Sequence, residues 1–284
     1  MTMRFISDPA ELYIPDGVPA DQAWARTTHL AIGAHQDDLE IMAIDGILNC
    51  FQRDDKWFSG VVVTDGAGSP RSGLYADTTD EAMRLIRVKE QKKAAAIGEY
   101  SALALLGYPS RAVKDPSDLR PVQDLAALLS AAKPDVAYTH NLADKHPTHV
   151  AVALKTIAAI RSVPAADRPG RLYGCEVWRS LDWMLDEDRT VFDCSAREGL
   201  QTALLGVFDS QISGGKRYDL ATMARRRAHA TYADSHGVDA LTGAAYAMDL
   251  TPLIEDPSLD IAGFVAAFID RFADDIRRTL AQGM

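Results

Sequence analysis

Residues 28–51 run THLAIGAHQDDLEIMAIDGILNCF. The first seven are largely apolar and short enough to be a buried strand, and from Asp38 onward Ile41, Ile44, Ile47, Leu48 and Phe51 recur at helical spacing. Strand, tight turn and helix in that order open a βαβ unit. The pattern then repeats along the chain. FSGVVVT at residues 58–64 is a second β-branched strand, and it breaks into the turn-rich Asp65-Gly66-Ala67-Gly68-Ser69-Pro70-Arg71. Helical spacing resumes over residues 80–98, with Met83, Ile86, Ala94 and Ile97 on one face. Arg84, Arg87, Lys89, Lys92 and Lys93 lie mostly off that face, and Gly98 serves as the stop. Residues 102–106 read as a third strand, 121–132 as a helix and 135–139 as a fourth strand.

Strands alternating with helices imply right-handed crossovers, hence an α/β fold with a Rossmann-like, largely parallel sheet and helices on both faces. Hydrophobic residues make up 47% of the 284 and charged residues 25%, a composition that leaves little room for long disorder. We expect a single domain over 1–284, with a core at about 27–160 completed by 170–284. The Pro-containing stretch 163–170 is the one candidate break. Near the C-terminus Ile261, Phe264, Val265, Phe268, Ile269, Phe272 and Ile276 form an apolar stripe. Packing within the chain is its expected role, with a homo-oligomer contact as the second reading.

The formal net charge of −10 provides no basic field for a nucleic-acid backbone. The opening residues lack an apolar leader behind a basic head, and no stretch approaches the roughly 18 apolar residues of a membrane span, so a cytoplasmic location is expected. Cys50, Cys175 and Cys194 share no ligand-like spacing and are expected as buried small hydrophobes.

In parallel sheets functional groups collect where strands end at their carboxyl edge. Here the first strand ends in Ala34-His35-Gln36-Asp37-Asp38, the second in Asp65-Gly66, and the fourth leads into His140-Asn141-Leu142-Ala143-Asp144-Lys145-His146-Pro147-Thr148-His149. Imidazole and carboxylate are the donors zinc takes when a position must stay open for water, and His35, Asp38 and His149 supply such a set. Asp37, beside the metal but not on it, is placed to accept a proton from water. His146 is the candidate to stabilise an oxyanion and protonate an amine leaving group, with Asp144 orienting it or raising its pKa. Taken singly, paired aspartates at a helix start are often only caps. It is the two clusters at two strand ends that point to a metal site.

AHQDDLE at 34–40 resembles the (A/P)HPDDE signature of the LmbE-like, or PIG-L-type, zinc-dependent N-deacetylases, and DKHPTHVAV at 144–152 resembles their D-x-H-x-D-H segment. VVVTDGAG at 61–68 is similar to their second strand. Arg87, Glu90, Ala94 and Gly98 are similar to an R-x-x-E-x-x-x-A helix ending in glycine. The likeness covers about 27–155 and thins beyond, where Glu176-Val177-Trp178 and Asp209-Ser210-Gln211 are similar to later positions. It implies a Rossmann-like domain that hydrolyses an acetamide, usually on N-acetylglucosamine. His35, Asp38 and His149 match its metal ligands, Asp37 its general base and His146 its electrostatic or acid partner.

Gln36 stands where proline is usual, Leu39 intervenes before Glu40, and Thr148 replaces aspartate. None is a direct ligand, so the departures bear on substrate rather than on metal. Zinc is the expected cofactor, and iron(II) suits the same donors. The expected partner is an N-acetylated amino sugar or its conjugate. The alternatives are an amidase acting on a larger amide of a sugar conjugate, and a metal-binding regulator without turnover. Arg71, Asp144, Trp178 and His236 are further candidates for substrate contact. Ser213-Gly214-Gly215-Lys216 lacks the frame of a phosphate-binding loop.

Overall fold

A computed structural model describes residues 4–283. One eight-stranded sheet runs through them. Its strands are β1 (Glu11–Tyr13), β2 (His29–Gly33), β3 (Phe58–Thr64), β4 (Ala102–Tyr108), β5 (Val136–His140), β6 (Arg171–Cys175), β7 (Arg189–Asp193) and β8 (Ala244–Asp249), in spatial order β1-β4-β3-β2-β5-β6-β8-β7. The middle five, β4-β3-β2-β5-β6, are parallel, while β1 and the β8-β7 pair close the two edges antiparallel. The expected largely parallel α/β fold is the fold adopted. The chain order reverses between β2 and β5, where crossovers leave to opposite sides and open a crevice at the strand carboxyl ends.

The strands are buried on both sides, and alternate residues feed two cores. Leu30, Ile32, Val61, Val63, Ala104 and Leu106 pack with the helices Arg120–Ala132 and Pro147–Ser162. Ala31, Val62, Leu103 and Leu105 pack on the other face, with the helices that follow β2 and β3. The 163–170 stretch holds only a short turn at Ala165–Asp167 and runs directly into β6, which pairs with β5 over five residues. The sheet therefore continues across the candidate break. The three cysteines are buried and unpaired.

One local expectation is corrected. The helix predicted from Asp38 to Phe51 is two helices, Asp38–Met42 and Ile44–Cys50, broken at Ala43. The guanidinium of Arg226 donates to the carbonyls of Glu40 (2.8 Å) and Ile41 (3.2 Å), satisfying at the break acceptors that a continuous helix would have used itself. The C-terminal stripe lies on the helix Ile261–Gln282 and packs within the chain as expected through Ile261, Phe264, Phe268 and Phe272, though not along its whole length. Phe268 is buried, whereas Ile269 and Ile276 are 50% and 45% exposed. Among the described residues no helix is long and apolar enough to cross a membrane.

Candidate active site

The loop after β2 is fixed from below by β3. Thr64 donates both its N–H (2.9 Å) and its hydroxyl (2.7 Å) to the Ala34 carbonyl, so the chain turns at His35 rather than extending the strand. Asp37 then adopts φ 96°, a conformation that costs a non-glycine residue on the order of 1–3 kcal/mol. It is held there from the helix Asp80–Ile97, where Gln91 Oε1 accepts the Asp37 N–H at 3.1 Å and Arg87 Nη2 lies 3.3 Å from Asp37 Oδ2. The opposite side is supplied by β5 and the helix Pro147–Ser162. Proline at its first turn fits the helical φ, leaves His146 as the N-cap and puts His149 on the inward face.

His35 Nδ1, Asp38 Oδ2 and His149 Nε2 converge. The separations are 3.3 Å from His35 to Asp38, 3.5 Å from Asp38 to His149 and 3.1 Å between the two imidazoles. Bonds of 2.0–2.1 Å in a tetrahedral zinc site place ligand atoms about 3.4 Å apart, so the triangle fits such an ion without rearrangement. Its electrostatics fit too. Burial pushes both imidazoles down toward the neutral, ligating form. Burial would raise Asp38, but His149 and His140 beside it hold the carboxyl well below the usual carboxylate range. Two buried imidazole nitrogens facing one another across a carboxylate oxygen have more lone pairs than protons to share, and a divalent cation resolves that excess. These residues also belong to the two groups, His35/His146/His149 and Asp38/His140/His149, whose donor atoms lie close enough to hold an ion.

The triangle forms the floor of a cavity of about 460 Å³. Asp37 lines it beside Asp38. Burial is the main force raising its pKa well above the ordinary value, with Asp38, Glu40 and Glu90 adding repulsion and Arg87 opposing them. His146 lines it from above, its ring 5.1 Å from that of His35 and stacked at 6.3 Å on Trp178. Burial, followed by His149 and His35, pushes the His146 pKa down to about 4, so this imidazole is neutral near pH 7. Val177, Trp178, Gln211, Lys216 and Tyr218 form the far wall, and Lys114 enters from the end of the short helix Ser110–Lys114 that follows β4.

Trp178 therefore lines the cavity. Three other residues expected at the substrate are elsewhere. Arg71 donates to the carbonyls of Thr78 and Ala67 and to Asp80 Oδ1 (2.5 Å), which consumes its guanidinium in tying the 67–80 loop together. His236 lies in the exposed turn after Tyr232, its N–H on Asp234, and does not line the cavity. Asp144 is buried behind the floor. It accepts the N–H groups of His146 (2.9 Å) and Trp178 (3.1 Å), with Oδ2 3.7 Å from His149 Nδ1. It thus faces His149 and not the His146 ring; its charge raises the His146 pKa as expected, but burial and the neighbouring His149 and His35 outweigh it.

Several members of the site escaped the hydrophobic pattern. His140 is fully buried, stacked 3.9 Å from His149, with Nε2 2.9 Å from the Ala34 nitrogen and 3.4 Å from Asp38 Oδ2. Arg87, expected mostly outside, is buried, and it also bonds the Gln36 carbonyl and the Ser69 hydroxyl. Glu90 accepts the Ser210 N–H (2.7 Å) and hydroxyl (2.6 Å), anchoring the far wall to the same helix. Arg87, Glu90, Gln91 and Ala94 form a mainly polar stripe at helical spacing, which an apolar periodicity cannot register. The R-x-x-E-x-x-x-A likeness was its only sequence signal. Gly214 permits the turn that presents Lys216, because a Cβ there would sit 2.0 Å from the Ser210 carbonyl.

Residues 30–160 match the family model described as PIG-L: GlcNAc-PI de-N-acetylase, which bears out the resemblance carried by the two histidine–aspartate segments. No curated protein matches the chain in sequence. Similar solved structures include the 4-carboxy-2-hydroxymuconate hydratase of Pseudomonas putida KT2440, with a TM-score of 0.62 and 16% identity over 79% of this chain and 96% of that one. The N,N'-diacetylchitobiose deacetylase of Pyrococcus horikoshii has a TM-score of 0.62 and 14% identity over 85% and 90%. The zinc-inhibited form of a teicoplanin deacetylase has a TM-score of 0.52 and 14% identity over 78% and 97%. At such identities the likeness establishes the fold. A hydratase and two deacetylases share it, so the reaction is argued from the site.

Proposed function

We propose that the chain is a metal-dependent N-deacetylase acting on an N-acetylated amino sugar or its conjugate, with His35, Asp38 and His149 as metal ligands and Asp37 as the general base. The observation that carries this reading is the convergence of His35 Nδ1, Asp38 Oδ2 and His149 Nε2 to within 3.1–3.5 Å under an open cavity, with a second, unligated carboxylate beside them. The family match over 30–160 supports the acetamide as the bond attacked. Two imidazoles and one carboxylate suit zinc, and iron(II) accepts the same donors.

When bound, the cation supplies a Lewis acid for the amide carbonyl and acidifies a water molecule. Asp37 takes the proton of that water as its oxygen bonds to the carbonyl carbon; a carboxyl raised by burial is a stronger base than a solvated one. The neutral His146 ring has one N–H, and this hydrogen-bonds the developing oxyanion. Asp37 returns its proton to the amide nitrogen as the C–N bond breaks, giving acetate and a free amine. Arg87 keeps the Asp37 carboxyl aimed into the cavity throughout. An amidase taking larger acyl groups would use the same residues, and a regulator without turnover would have no need of Asp37.

Acetate release from N-acetylated sugars by the metal-loaded chain, and its loss with a chelator and return with zinc, is the expected outcome. An enzyme that loads one equivalent of zinc yet frees no acetate from any such compound would contradict the reading.

A further inference from the structure

Beyond Trp178 the cavity opens into a second chamber of about 220 Å³, which shares Ile41, Val177, Trp178, Lys216 and Tyr218 with the first. Its charged lining is Lys216, Arg217 and Arg225, and no carboxylate lines it. This is unusual in a chain whose formal charge is −10. Nearby acids are engaged elsewhere. Asp219 holds Arg217 in a two-point pair (2.9 and 2.7 Å), and Asp209 is taken by Ser213 and Tyr75. Arg225 uses one nitrogen on the Val177 carbonyl (2.6 Å), leaving the rest of its fork uncommitted, and Lys216 lies 5.2 Å from the Trp178 ring centroid with no acid partner.

An ammonium and a guanidinium at the end of a substrate cleft, without an acid between them, form a receptor for a carboxylate or phosphate. We infer that this second chamber is an anion subsite, in which Lys216 and Arg225 bind a carboxylate or phosphate of the substrate while its acetamide lies on the His35–Asp38–His149 floor. The inference rests on the deacetylase reading for the acetamide end alone. Trp178 then stands between the two ends, presenting its face to the body of the molecule. Lys216, on the turn that Gly214 makes possible, selects substrates and takes no part in bond breaking.

Isothermal titration calorimetry of the zinc-loaded full chain compares N-acetylglucosamine with its 1- and 6-phosphates and with N-acetylmuramic acid, while acetate release is followed in parallel. A charge-assisted contact predicts that at least one anionic form binds about tenfold or more tightly than the neutral sugar. The phosphate and carboxylate arms tell which anion is taken. Lys216→Gln narrows that ratio to about twofold, and Lys216→Arg retains most of it. Equal affinity for all four compounds, no binding of any, or an unchanged ratio in Lys216→Gln overturns the inference. Anion preference without acetate release contradicts the deacetylase reading and leaves the subsite standing, whereas acetate release without preference contradicts the subsite alone.

Discussion

Residues 28–160 supply the floor of the cavity from the ends of parallel strands, whereas residues 170–283 supply its far wall from turns and a helix laid over an antiparallel edge. On the floor, Asp37, Asp38 and His149 are buried, His35 is largely so, and the three buried side chains are each placed by a second polar group: Asp37 by Gln91 and Arg87, Asp38 by His35 and His140, His149 by Asp144. On the wall, Trp178 is only partly buried, Lys216 is exposed, and both are free of side-chain hydrogen bonds. The contrast implies a division of labour. On the proposed reading a rigid floor carries the bond-breaking step, and a more permissive wall carries affinity and choice of substrate.

Four substitutions break or sharpen that division, in falling order of effect. Asp37→Asn keeps the size of the side chain and removes the base, so kcat falls by about 10³-fold with the melting temperature little changed. Loss of less than tenfold in a steady-state assay would move the base elsewhere. Next, Arg226→Leu severs the wall helix Tyr218–Tyr232 from the floor, stranding the Glu40 and Ile41 carbonyls and Gln201 Oε1 in the interior. Urea denaturation is expected to show a loss of about 3 kcal/mol, since each stranded buried acceptor costs roughly 1–3 kcal/mol. Trp178→Ala raises KM about tenfold and moves kcat less than about threefold, because the ring offers a face to the substrate and no proton. An equal fall in kcat would make the wall part of the chemistry.

The smallest effect belongs to Arg71→Gln. The guanidinium binds its own loop, so kcat/KM stays within about twofold, while limited proteolysis between residues 67 and 80 accelerates. A large loss of activity with unchanged proteolysis would return Arg71 to the substrate.

The floor was legible because its signals are local. Histidine and aspartate three residues apart at a strand end, and a second histidine pair after another strand, need only the rule that parallel strands end on one edge. The parallel pairing of the four central strands β2 to β5 followed from their alternation with helices. Of the wall only Trp178 and the likenesses at 176–178 and 209–211 were legible, because its members are brought together by contacts of long sequence separation, such as Glu90 to Ser210 and Arg226 to Glu40, and because its cations read as ordinary surface charge. Arg87 fails for a related reason. A buried arginine satisfied by a backbone carbonyl and a carboxylate looks, in sequence, like the solvated arginine one turn away. The C-terminal stripe was legible in its first turns, where Ile261, Phe264 and Phe268 pack on the core, but amphipathic spacing does not say how far along a helix that packing runs.

The central claim is that His35, Asp38 and His149 hold one divalent cation, and metal stoichiometry tests it most directly. Elemental analysis of the chain after zinc exposure and desalting should find about one ion per chain, and Asp38→Ala and His149→Ala should each lose nearly all of it while still folding. A chain that retains no metal, or a His149→Ala variant that retains as much as the parent, would contradict the account.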